Sequence, residues 1–157
     1  MSRTIIMGAV IAAALAAPSG ALAQQAAFGT SVEAKAMIER AIRELKVDES
    51  AAIAKFRGGA VGFRDRDLYV FCFNSTDGRI LTSITADLIG RDIRTLRDEN
   101  GKNFGLEVYN TALDGQITLT TGYAYQRAGV ATPALRASYL TRVNNVGCGV
   151  DYYRNER

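Results

Sequence analysis

The hydrophobic period of this chain changes once, early, and that change does most to restrict its fold. In TSVEAKAMIERAIRELK, residues 30–46, the apolar Ala34, Met37, Ile38, Ala41, Ile42 and Leu45 recur at the three-and-four spacing of one helix face. Thr30 followed by Glu33 has the pattern of a capping box, so the helix has a defined start. A second, short helix is expected over ESAAIAKF, capped by Asp48, with Ile53 and Phe56 inward and stopped by Gly58 and Gly59. Beyond Gly59 the helical period largely gives way to strand and turn signals.

LYVFCF is rich in strand formers, STDG is a turn, and RILTSI follows, which predicts a hairpin over residues 68–84. Residues 85–113 have mixed periodicity with breaks at Gly90 and Gly101, and read as a loop with short helices, the second around residues 102–113. QITLTTGYAYQR alternates as a third strand, a loop through Gly129 and Pro133 follows, and LRASYLTRV and VGCGVDYY are the last two strands. In the final strand Gly147 and Gly149 remove side chains. The order is a long helix, two strands, a helical crossover and three strands, an α+β arrangement. RDRD at 64–67 contains the carboxylate pair Asp65 and Asp67, but its alternating charges read as a solvated run.

The first residues decide the compartment. Arg3 precedes the apolar IIMGAVIAAALAA, Pro18, Ser19 and Gly20 break it, and ALA at 21–23 offers small residues for a signal peptidase. The reading is a signal peptide over 1–23 cleaved after Ala23, a flexible lead-in over 24–29, and one domain over 30–157, exported to the periplasm. An uncleaved anchor is the alternative, against which the shortness of the apolar stretch argues. Taking 23 residues from 157 leaves 134, enough for one core. Of the 19 basic residues only Arg3 lies in the leader, so the remainder carries a net charge of +2, too little for a nucleic-acid partner. An oxidising compartment favours a disulfide between Cys72 and Cys148, with two separate buried thiols as the other possibility.

Histidine is absent throughout. The imidazole-based nucleophile pairs are therefore excluded, and with them the commonest zinc ligand. No metal, cofactor or catalytic residue is expected, and the chain reads as a non-enzyme.

Taken together, GFRDRDLYVFCFNSTDGRILTS, LIGRDIRTLRDENGKNF, ASYL and VGCGVDYY resemble the single Cache domain family, extracytoplasmic sensor modules that also occur as stand-alone secreted proteins. The resemblance spans roughly residues 31–153. It implies a PAS-like fold, in which a long N-terminal helix packs on an antiparallel sheet of five to six strands. It also implies a ligand pocket between sheet and crossover, with no chemical transformation of the ligand. The first and last strands become neighbours, which would set Cys72 opposite Cys148. The family's tryptophan before the last strand is missing, and Arg136 stands where lysine is common ahead of SY.

On that resemblance the function expected is a periplasmic small-molecule sensor, with a short carboxylate among the ligands implied. Its signal would pass through a separate membrane receptor, kinase or transporter, and a homodimer through the first helix is compatible with it. The alternative is an interaction protein that uses the fold without a pocket. Arg136 is the leading binding candidate, because a guanidinium holds a carboxylate through two parallel bonds. Tyr123 and Tyr125 share a strand face by period two, Tyr139 lies in the next strand and Tyr69 in the first; each offers an apolar wall and a hydroxyl. Phe104 and Tyr109 would come from the crossover as a lid. All six aromatics could equally be core. Lys102 reads as a solvated turn residue.

Overall fold

The computed structural model describes residues 28–126 and 132–154. The expected leader, its cleavage after Ala23, most of the lead-in and Gly129 lie outside the described residues.

Helix α1 (Ser31–Val47) starts with both bonds of the capping box: the Thr30 hydroxyl accepts the Glu33 N–H, and the Glu33 carboxylate accepts the Thr30 N–H at 2.7 Å. Its buried face is Ala34, Met37, Ile38, Ala41 and Leu45, the stripe read from the spacing. Asp48 ends α1 and caps α2 (Glu49–Arg57) by accepting the Ala51 N–H at 2.9 Å; Gly58 ends α2. RDRD proves to be a clasp instead of a solvated run. Arg66, at φ 54°, donates to Asp65, Glu33 and the Phe28 carbonyl, while Asp67 accepts the Gly29 N–H at 2.6 Å. These bonds tie the start of α1 to the first turn of the sheet. Charges that alternate in sequence find partners only when two distant segments meet.

The strands are β1 (Arg64–Asp65), β2 (Leu68–Asn74), β3 (Ile80–Thr82), β4 (Thr118–Leu119), β5 (Tyr123–Tyr125), β6 (Ala134–Val143) and β7 (Val146–Tyr153), with α3 (Phe104–Thr111) in the crossover. All pairings are antiparallel in the order β1-β2-β7-β6-β4; β3 also pairs with β2, and β5 with β6. Among the described residues, seven strands therefore fill five lateral positions. The count exceeds five to six partly because QITLTTGYAYQR is interrupted near Gly122, whose φ of 106° leaves the extended region. β2 and β7 sit side by side with Cys72 directly opposite Cys148, and the two sulfurs are bonded across 4.1 Å between α-carbons.

Strand alternation divides the core. On one face Leu68, Val70 and Cys72 of β2, Ala137 and Val143 of β6, and Val146, Cys148 and Val150 of β7 pack under α1 and α2. On the other face Phe73 and Leu140 pack with Ile80, Ile93, Val108 and Ala112 of the crossover and α3. Gly147 and Gly149 make this second layer possible. A β-carbon at Gly147 would lie 2.3 Å from the Phe73 ring, and one at Gly149 would lie 2.4 Å from the Phe71 ring. The two phenylalanines lie flat across the glycine-bearing strand beside them.

Candidate functional site

A cavity of about 50 Å³ lies between the second face of the sheet and the crossover. Its floor follows from period two: Tyr69 and Phe71 of β2, Arg136 of β6 and Asp151 of β7 all point to this side. Tyr123 and Tyr125 of β5 close one flank, and Leu88, Ile93, Leu96, Phe104 and Val108 form the roof. Phe104 stacks on Tyr123 with ring centroids 4.2 Å apart, joining roof to flank. On this measure a water needs about 10–15 Å³, so the space takes a few waters or a molecule of very few heavy atoms.

Arg136 dominates the chemistry. It is 5% exposed, and its guanidinium carbon lies 5.5 Å, 4.9 Å and 5.2 Å from the ring centres of Tyr69, Tyr125 and Tyr153. Its counter-ion is Asp151, with nitrogen and oxygen 3.5 Å apart. Asp151 also accepts the Ser138 hydroxyl at 2.5 Å, so the carboxylate is held from its own sheet. The Arg136 Nε has no hydrogen-bond partner among the described residues. A buried charged donor left in that state costs free energy.

Burial works against the Arg136 cation, but the Asp151 carboxylate raises its affinity for the proton above the ordinary value, so the guanidinium is charged. Burial likewise pushes the Tyr69 hydroxyl up, with Arg136 opposing, and pushes the Tyr123 hydroxyl well up, with Asp151 adding to it. Both phenols are therefore neutral donors at physiological pH. The cavity combines one fixed cation, aromatic walls and intact hydroxyls, which suits a small anion with a short apolar part.

Of the residues singled out in the sequence, Arg136, Tyr69, Tyr123, Tyr125 and Phe104 line this cavity. Tyr139 does not. It lies three positions from Arg136 in one strand, so alternation turns it to the helix side, where it stacks on Tyr152 and shares a 2.8 Å hydrogen bond with Ser31 of α1. The same parity rule, applied along β6, would have separated the two from sequence. Tyr109 lies next to the cavity, outside its lining: its ring packs on Phe73 and its hydroxyl donates to the Ser75 carbonyl. Lys102 is tied to Glu107, Thr121 and the Gly122 carbonyl. Asp151, Ser138 and Tyr153 were missed. A lone acid inside the otherwise uncharged VGCGVDYY was the available signal, since a buried carboxylate needs a cation.

No family model matches the sequence, and a search of curated proteins finds no match. Solved structures of chemotaxis proteins do resemble the fold. A methyl-accepting chemotaxis protein from Vibrio parahaemolyticus aligns at TM-score 0.59 and 17% identity, over 78% of this chain and 86% of that one. A periplasmic sensor domain of a chemotaxis protein aligns at TM-score 0.55 and 21% identity, over 78% and 88%. A structure described as showing carboxylic acid recognition by a Cache chemosensory domain aligns at TM-score 0.50 and 16% identity, over 78% and 86%. The chain thus shares the α+β fold of these chemotaxis sensor domains, one of which is described as a Cache domain. No helix among the described residues is long and apolar enough to cross a membrane.

Proposed function

We propose that this protein is a periplasmic small-molecule sensor whose cavity takes the carboxylate of an organic acid on Arg136. The observation that carries the reading is the Arg136 guanidinium, nearly fully buried beside a cavity, ringed by Tyr69, Tyr125 and Tyr153 and with Nε unpartnered. Asp151 keeps the cation in place through one ion-pair contact, and the Ser138 hydroxyl occupies the same carboxylate. A planar guanidinium can then bind a carboxylate through parallel bonds, with neutral phenols as further donors. Occupancy of the cavity is read by a membrane receptor, kinase or transporter. Chemotaxis sensor domains of this fold support the sensor class, and the carboxylic acid bound by one of them agrees with the chemistry of Arg136.

The test is thermal unfolding in the presence of acetate, propionate and pyruvate, with amines, amino acids and purines as comparison compounds. A ligand that binds only the folded state raises Tm in a saturable way. Arg136→Gln should abolish the shift for acids while the variant still unfolds cooperatively. If no acid shifts wild-type Tm, or if Arg136→Gln leaves the shift intact, the reading is wrong.

A further inference from the structure

A second space, of about 290 Å³, lies beyond the wall of the Arg136 cavity. Phe56, Val70, Ile84 and Ile89 line it, with Arg57 and Arg64 beside them. Tyr69 and Ser83 line both spaces. The register explains this adjacency. Arg64 pairs with Tyr69, the ladder Val70–Val150 continues to set Tyr69 beside Asp151, and Asp151 pairs with Ser138. These residues form one row across the cavity face of the sheet, and Tyr69 in that row borders both spaces. The loop after β3 supplies the opposite wall of both spaces. Leu88 faces the inner one, while Ile84, Ala86 and Ile89 face the outer one.

The two spaces differ in character. The inner one has the buried cation and the phenols but little room. The outer one is larger and of mixed lining: Phe56, Val70, Ile84 and Ile89 alternate with Ser83, an exposed Arg64 and Arg57, which donates to the Leu81 carbonyl at 2.9 Å. Small-molecule sites usually measure roughly 300–1,000 Å³; the inner cavity falls far short, and the outer space of about 290 Å³ comes close to the lower end. We propose that the inner and outer spaces are compartments of one channel partitioned by Tyr69 and Ser83, and that the ligand is a medium-length aliphatic acid whose carboxylate sits on Arg136 while its chain lies in the outer compartment against Phe56, Ile84 and Ile89. Passage requires the Tyr69 side chain to leave its present rotamer. Arg57 and Arg64 place positive charge on the route that an anion would take to Arg136.

This inference rests on Arg136 as the carboxylate anchor, and the experiment separates the two. Dissociation constants of acetate, butyrate and hexanoate are measured by titration calorimetry at neutral pH and fixed ionic strength. The wild type is compared with Ile84→Glu and Ile89→Ala, each checked for folding by circular dichroism. Once the acid is longer than the inner cavity holds, each further methylene should tighten binding about three- to fourfold, the factor for burying one CH₂. Ile84→Glu should weaken hexanoate roughly tenfold or more, by placing a carboxylate against the buried chain, and leave acetate unchanged. Ile89→Ala should weaken hexanoate alone, more mildly. If acetate binds and hexanoate binds no tighter, or if the Ile84 and Ile89 variants alter every acid equally, the channel is refuted and the Arg136 anchor survives. If no acid binds the wild type, the anchor itself fails.

Discussion

Breaking the Cys72–Cys148 bond by reduction, which adds one hydrogen to each sulfur and removes no atom, isolates what the crosslink does. Both cysteines are 0% exposed, so Cys→Ala variants would mix loss of the bond with a cavity in the helix-side core. Reduction under unfolding conditions, followed by refolding with reductant, leaves the packing atoms in place. The bond spans 76 residues of sequence, and the chain-entropy relation assigns a loop of that length roughly 15 cal/mol/K of unfolded-state entropy, or about 4.5 kcal/mol at 25 °C. For a domain of this size that corresponds to roughly 15 °C in Tm. Urea unfolding of oxidised and reduced protein, with free thiols counted by alkylation and mass spectrometry, measures the difference. The oxidised form should also have a smaller m value, because its unfolded chain exposes less surface. A stability difference below about 1 kcal/mol would refute the entropic account. So would a full difference with equal m values, since the effect would then lie in the native state.

Gly149→Ala should lower stability by about 1–3 kcal/mol in the same urea assay, because its β-carbon would lie 2.4 Å from the Phe71 ring and 2.6 Å from Leu140; an unchanged midpoint would mean that Phe71 does not lie across this strand. Arg136→Leu should cost about 3–5 kcal/mol by leaving Asp151 buried without its cation, and Asp151→Asn in that background should recover much of the loss. The Glu33 carboxyl is held down to about 2 by the Thr30 N–H and by Arg66. Its folded value lies below the ordinary 4.5, so its stabilisation is complete above pH 4.5 and is lost as pH falls toward 2. The side chain is 44% exposed, and solvent screening limits the effect to about 1 kcal/mol or less. An NMR titration of Glu33 with a midpoint near 4 would contradict this.

Much of the fold was legible because local chemistry carried it. The stripe Ala34 to Leu45 is an i, i+3, i+4 pattern, and the Thr30 and Asp48 caps act within three residues, so both survive without tertiary information. The hairpin over 68–84 forms around its STDG turn as expected, although a bulge between Cys72 and Phe73 shifts the register. The site was legible in part. Tyr123 and Tyr125 share a face by parity, and parity also rules Tyr139 out beside Arg136 once both are placed in β6. RDRD was misread because its partners, Phe28, Gly29 and Glu33, are about thirty residues away.

By itself, the sequence determined the elements and which residues share a strand face, since both depend on neighbours a few positions apart. It also excluded imidazole chemistry, through the absence of a residue type. Only the tertiary structure decided that β2 and β7 are adjacent with Cys72 opposite Cys148, and that Asp151 meets Arg136 across two strands. It also decided that Tyr69 and Ser83 line both the Arg136 cavity and the larger space next to it. Those contacts join residues from about 15 to nearly 80 positions apart. Their register is set by how the two faces of the sheet are covered, and no local pattern encodes that.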